Sequence, residues 1–278
     1  MGVWRDGVIV AAFAAAVAAG GGFGAAAEER PQLANACSGE IVAHGTASRV
    51  GDGRSFVLDD GREVRLAAIE VPPLSQDSGA SASGTAAKDG LAALLGDADI
   101  VLKQAEPQKT DRYGRIVAYG FITRDGSERL IQGELLAAGL ARAAPRSSGR
   151  ACALELLSRE SAARRAKLGL WAGSYYDPLD AENPAAVLAK QGRFALVEGK
   201  VVSVRESGAT IYVNFGRRWS TDFTVTILKR NERSFTAAGL EPKKLSGRRI
   251  CVRGWIEERG GPWIEAARPE QIELTDRE

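Results

Sequence analysis

The stretch from 48 to 73 constrains this chain more than any other, because it reads as strands folded back on themselves. Residues 50–58 are rich in apolar and β-branched side chains around a glycine-containing turn at Gly51–Gly53. Asp60-Gly61 is a two-residue reversal signal, and 64–69 is the returning strand. Pro72 and Pro73 end the pairing, since proline brings no backbone donor to a ladder. Asp52, Arg54, Arg65 and Glu70 all fall near the strand ends, where they can converge. A second signal, Asp111-Arg112-Tyr113-Gly114-Arg115, opens another strand over 116–122.

Around that hairpin the pattern is β over 41–69, followed by a small-residue stretch at 74–84 that predicts a flexible loop. Residues 85–95 predict a helix with Leu91, Leu94 and Leu95 on one side, stopped at Gly96. Strands are expected at 100–103 and 116–122, a short helix over 130–138 with Gly139 as its C-cap, and an extended segment at 140–143. The basic stretch 153–167 predicts an amphipathic helix with Leu154 and Leu157 on its core side. This order fits a five-stranded OB barrel with helical additions, though the pattern by itself leaves other small barrels open.

Pro178, Pro184 and an alanine-rich run make 173–192 a linker with a short helix. Beyond it, alternation recurs at Ile211, Val213 and Phe215 and at Phe223, Val225 and Ile227. Strands are expected at 194–205, 211–215, 223–227, 249–256 and 263–266. The region without strand pattern at 229–246 accommodates a helix, and Gly260-Gly261-Pro262 forms the last turn. The fold class is mainly β with helices, and the second region at 193–275 is again OB-like in its ordering.

Composition bounds the function. The 278 residues carry 37 Lys and Arg against 35 Asp and Glu, a net charge of +2. A strongly basic footprint for nucleic acid is therefore missing from the chain as a whole. Arg5 followed by an apolar run over 8–17, glycines at 20–24 and an Ala25-x-Ala27 site predict a signal peptide at 1–27. An uncleaved anchor is the alternative, although the run is short for a span. A polar, flexible segment follows at 28–37. Export places the protein in the periplasm or outside the cell, where cysteines oxidise. The simplest pairing joins Cys37 to Cys152, leaving Cys251 as a buried thiol. His44 is the sole histidine, so catalysis built on a histidine pair is nearly excluded.

These motifs resemble the staphylococcal nuclease (thermonuclease) family. That family carries an Asp-Gly-Asp-Thr turn, an Arg-Leu strand ending in Asp-Thr-Pro-Glu, an Asp-(Lys/Arg)-Tyr-Gly-Arg segment and a tail like Lys167-Leu168-Gly169-Leu170-Trp171. The resemblance covers 38–172 and implies an OB fold. It also implies a calcium ion held by two aspartates and a carbonyl, a glutamate as general base and two arginines clamping the phosphate.

Position by position, the resemblance is incomplete. The first turn aspartate falls on Asp52, but the second, a metal ligand, falls on Arg54, and the threonine becomes Ser55. The strand arginine is Arg65, the strand-end acid is Glu70, and the carbonyl falls on Val71. The general-base position falls on Pro73. Arg115 and Tyr113 match the second arginine and the substrate-pocket tyrosine, and Arg112 adds charge beside them. A guanidinium at the ligand position opposes calcium and is expected to pair with Glu70 or Asp52.

The resulting expectation is an exported, degenerate nuclease fold that binds nucleic acid, a nucleotide or a partner protein through Arg65, Arg115, Tyr113 and Arg112, with no cofactor and no membrane span once the leader is removed. The first alternative is an active metal-dependent phosphodiesterase on DNA or RNA. It would use Arg65, Arg115 and Glu70, with calcium at residual ligands such as Asp52, Glu70, Asp59 or Asp60. The second is a cell-envelope scaffold whose arginines only pair with Glu63, Glu70 or Asp111. In the second region Tyr212 and Trp219, near Arg205, Arg217 and Arg218, are the candidates for stacking bases.

Overall fold

Strict alternation sets the first sheet. In β3 (Ser55–Leu58), which follows β1 (Ile41–Gly45) and β2 (Ala47–Asp52), Phe56 and Leu58 turn inward. In β4 (Glu63–Leu66) Val64 and Leu66 do the same, so Glu63 and Arg65 face the other way. The chain continues through β5 (Ile69–Glu70), α1 (Ser78–Leu95), β6 (Ile100–Gln104), β7 (Ile116–Arg124), β8 (Ser127–Leu130), α2 (Ile131–Ala137), β9 (Arg142–Ala143) and α3 (Arg150–Arg165). This computed structural model describes Met1 and residues 36–74, 78–146, 148–218 and 220–276. The leader expected at 1–27 and most of the flexible segment at 28–37 lie outside those residues.

The main sheet runs β1-β6-β7-β4-β3-β2, with β8 paired to β7. Its two end strands, β1 and β2, are separated only by Thr46, so one bent strand links both ends of the sheet. β4 pairs with β7 in parallel, and the other ladders of the sheet are antiparallel. The helix between the third and fourth strands of this arrangement, α1, contributes Leu91 and Leu95 to the core beneath. A disulfide joins Cys37 to Cys152 with Cα atoms 4.6 Å apart and 115 residues between them in sequence. Cys37, at the end of the segment expected to be flexible, is buried.

The second half repeats the plan. It comprises β10 (Leu179–Asp180), α4 (Pro184–Leu188), β11 (Phe194–Lys200), β12 (Ser203–Ser207), β13 (Thr210–Asn214), β14 (Thr224–Leu228), α5 (Lys229–Ala237), β15 (Arg249–Trp255), β16 (Glu257–Arg259), β17 (Gly261–Glu265) and β18 (Ile272–Leu274). Successive segments β11 and β12 pair with β15 and β13 respectively, β14 follows β13, and β14 pairs in parallel with β17. The helix again sits between the third and fourth arms. This is the OB ordering of the first half, except that β15 and β17 belong to separate sheets. Phe215 and Phe223 pack together in its core, as the alternation predicts.

Four expectations are corrected. The loop expected over 74–84 gives way to helix at Ser78, and small residues make this possible: a Cβ on Gly84 would lie 2.4 Å from the Pro73 carbonyl oxygen. Leu130, expected to open a helix, instead ends the strand β8, which pairs back on β7 through a turn at Asp125 and Gly126, both with positive φ. On α3 the core face holds Cys152, Ala153, Leu156, Glu160 and Ala163, while Leu154 is 50% exposed. That face includes a charged residue, which apolar periodicity cannot reveal. The last reversal is at Gly260 alone, with φ of 82°, so Gly261 and Pro262 open β17 rather than a turn.

The segment expected as a linker does carry its short helix, but it is packed. β10 adds a parallel edge to β11, and Tyr176, Ala181 and Val187 are buried. A small cluster containing Ala163, Leu170, Trp171, Tyr176, Phe194, Leu196 and Cys251 spans both halves. Beside it the fully buried Arg253 of β15 pairs with Glu160 of α3 and Glu273 of β18, and donates to the Ala143 carbonyl at 3.1 Å. Arg164 completes the network on Glu273 at 2.7 Å. Among the described residues no helix is long and apolar enough to cross a membrane.

Candidate functional site

Three features of the local fold bring the hairpin's charged residues together. The turn after β2 is tied by Asp52, whose carboxylate accepts the Arg54 backbone N–H at 2.8 Å. It lies tight under α1, for a Cβ on Gly53 would come within 2.6 Å of the Ala87 Cβ. Ala68 then adopts a left-handed conformation, φ 60°, and this turn carries the chain off the sheet. β5 is thereby free to pair with β9, which sets Glu70 opposite Arg142.

At this corner Arg54 Nη1 lies 2.5 Å from Glu70 Oε2 and donates to the Ile69 carbonyl at 3.1 Å. Both side chains are largely buried, at 15% and 12% exposure. Arg65 reaches the other Glu70 oxygen at 3.6 Å. Burial, together with the charges of Arg54 and Arg115, pulls the Arg65 guanidinium below the usual arginine range. Glu70 is therefore shared by two arginines, and of the two partners expected for Arg54, Glu70 and Asp52, its side chain meets Glu70.

Arg115 is held from the far side of the same sheet edge. Its Nε and Nη2 bond one Asp111 oxygen at 2.9 and 2.7 Å, while the other oxygen accepts the Tyr113 and Arg115 backbone N–H groups. Burial pushes the Asp111 carboxyl up, but these hydrogen bonds outweigh it and hold the group below the ordinary aspartate range. Tyr113 is 66% exposed, with the Arg112 and Arg115 guanidinium groups over its ring at 4.8 and 5.2 Å. Arg112 Nη2 also donates to the Tyr113 hydroxyl at 2.6 Å. Arg65 and Arg115 thus stand close enough to feel each other's charge, each already anchored on a carboxylate.

These residues do not fit the calcium ion that the resemblance implies. Where the resemblance would put a ligand stands Arg54, a guanidinium bonded to the one well-placed acid, and two like charges share that acid. Asp59 and Asp60 do not help: Asp60 pairs with Arg62 at 2.5 Å and Asp59 lies within reach of the Thr46 hydroxyl. Among the described residues no three His, Cys, Asp or Glu side chains converge to hold a metal. Pro73, on which the resemblance places the general base, has no side-chain proton acceptor.

Beside the Arg54–Glu70 pair lies a cavity of about 720 Å³. One part of its lining is the hairpin edge: Asp52, Arg54, Glu70, Val71 and Pro73. The rest was invisible in the sequence: Arg142, Tyr175, Tyr176, Lys190, Arg193, Phe194 and Trp255. The one available signal was the Tyr175-Tyr176 pair inside a supposed linker, since adjacent aromatics anchor a segment rather than free it. Arg65, Arg112, Tyr113 and Arg115 do not line this cavity. In the second half, Arg205 and Tyr212 are cross-strand partners on β12 and β13, and Trp219 lies outside the described residues.

Residues 63–173 match the family model described as staphylococcal nuclease homologue. The matched segment runs from the first residue of β4 to just past the 3-10 turn at Gly169–Ala172, and includes Arg65, Glu70, Tyr113 and Arg115. The turn bearing Asp52 and Arg54 precedes it. A comparison with curated proteins found no match.

Proposed function

We propose that the nuclease-homologue fold at 63–173 works in this protein as a binding module for phosphate-bearing ligands, nucleic acid or nucleotide, and does not hydrolyse them efficiently. One observation carries the reading: the Arg54 guanidinium is bonded to Glu70 where catalysis would need an acid free to hold a cation. What survives is the electrostatics of phosphate recognition. Arg65 and Arg115 keep 30% and 22% of their side chains exposed, and Arg112 and the exposed Tyr113 extend the surface. Arginines held in place by carboxylates present fixed donors to phosphate oxygens at little entropic cost. The disulfide supports an exported protein working in an oxidising compartment, periplasmic or secreted.

The scaffold reading has a specific observation behind it, since Asp111 and Glu70 already partner both arginines. One experiment separates the readings. The purified chain is incubated with single-stranded DNA and RNA in calcium, in magnesium and in chelator, and binding is followed across a salt series. The expected result is no cleavage in any condition, with binding that weakens as salt rises and weakens further in Arg65→Ala and Arg115→Ala. Metal-dependent cleavage abolished by Arg115→Ala would establish the active phosphodiesterase instead. No salt-dependent binding at all would leave the scaffold.

A further inference from the structure

We infer that the cavity shared by the two halves is a second ligand site, built for a planar aromatic ring carrying an anionic group. Its defining feature is a continuous run of rings and cations. Lys190 Nζ sits over the Tyr175 ring at 4.5 Å, and Tyr175 meets Tyr176 edge-on at 4.8 Å. The Arg142 guanidinium lies over both Tyr176 and Phe194, at 5.0 and 5.2 Å, and Phe194 meets Trp255 at 6.3 Å. Of these residues only Arg142 falls within the matched segment 63–173, so most of the wall lies outside the part that resembles that family.

The chemistry of the lining selects the occupant. At about 720 Å³ the space suits a small molecule. Tyr175 is 42% exposed and offers a ring face or edge for stacking. Four cations, Arg54, Arg142, Lys190 and Arg193, face three carboxylates, Asp52, Glu70 and Asp177. Glu70 is taken by Arg54 and Arg193 is engaged with the Tyr175 hydroxyl at 3.3 Å, so Arg142 and Lys190 are the cations set beside the rings for an anionic group. Arg142 is almost fully buried, is held by the Phe194 carbonyl at 2.6 Å, and keeps a buried Nε without a hydrogen-bond partner. Burial lowers the pKa of Arg142, so a nearby anion would stabilise its charge. Within this class the site takes a nucleoside monophosphate, free or as the end of a strand. That choice rests on the binding function proposed above.

The test is calorimetric titration of the full chain with uridine and adenosine monophosphates, and with trinucleotides bearing or lacking a 5′-phosphate. Uridine and inorganic phosphate serve as half-ligands. The monophosphates are expected to bind, and each half-ligand to bind about tenfold more weakly or worse. Tyr175→Ala removes one stacking face and is expected to weaken binding about tenfold, while Tyr175→Phe retains it. Lys190→Glu is expected to weaken the monophosphates and leave uridine unchanged. Circular dichroism checks that every variant folds, and Arg124→Glu, on a distant surface, is the charge control. Binding only of the phosphorylated trinucleotide would identify the ligand as a strand end. No binding of any probe, or binding indifferent to both Tyr175 and Lys190, overturns the inference. Strand binding sensitive to Arg65 and Arg115 would then still stand, so the two failures are distinct.

Discussion

At the scale of single residues, Arg54 decides the character of the hairpin edge. Its neighbour Glu70 is 9% exposed, and a buried carboxylate is costly unless a cation stands beside it. Removing that cation leaves only Arg65, at 3.6 Å and more solvated. Arg54→Ala is therefore expected to destabilise the fold by about 2 kcal/mol, less than a fully buried pair would cost. Urea denaturation checks this: an unchanged midpoint would mean that the pair carries no stability. The pairing was legible in the sequence, because a guanidinium placed two residues after Asp52 and facing Glu70 across the hairpin has few other partners. The contact of Arg65 with Glu70 was among the pairings that the sequence allowed, but the opposition of Glu70 to Arg142 was not legible. That opposition depends on the left-handed turn at Ala68, a conformation that alanine does not advertise.

At the scale of elements, the links that matter join distant parts of the chain. The Cys37–Cys152 bridge fastens the entry to β1 onto the first turn of α3. In the chain-entropy model a loop of this length contributes roughly 4 to 5 kcal/mol by restricting the unfolded chain. Reduction is expected to lower the thermal midpoint by several degrees or more, measured by calorimetry with and without reductant. The remaining thiol, Cys251, is 3% exposed and burial pushes its pKa up to about 12, so it stays out of exchange in the native state. Alternation located most strands, since a half-buried strand writes its two faces into the sequence. It failed where packing overrode polarity. Helix α1 begins seven residues before the expected start because glycine and serine permit a close approach to Pro73. Helix α3 buries Glu160 because Arg253 meets it.

At the scale of the whole molecule, the described residues from 36 onward form one compact unit, and an ionic network joins its two OB-like halves. Arg253 is the centre of that network. Burial opposes its charge, but Glu160 and Glu273 outweigh this and raise its pKa further. Truncation to Arg253→Ala would strand Glu160, leave Glu273 to Arg164 alone, and is expected to cost about 3 to 5 kcal/mol, whereas Arg253→Met with Glu160→Met is expected to recover part of the loss. Urea unfolding of the three proteins checks this. Glu273 adds a pH dependence. Burial raises its pKa, yet Arg253 and Arg164 prevail and hold it below the ordinary glutamate value. A group depressed on folding stabilises the protein above its unfolded pKa, near 4.3, and that stability is lost as pH falls through the lower folded value. Arg253→Ala is thus expected to flatten the acid limb of the stability curve, read from thermal midpoints between pH 7 and pH 3.

The residue order alone determined most of the strands, the hairpin edge and the resemblance of 63–173 to the nuclease-homologue model, because each is written in neighbouring residues or in a short period. Only the folded chain decided that 173–192 is packed rather than loose, that Arg142, Tyr175 and Trp255 share a cavity with Arg54, and that Arg253 locks the halves. Those contacts join residues tens to more than a hundred positions apart. Side chains that meet across such distances share no local pattern, so only the packing of one element on another brings them together.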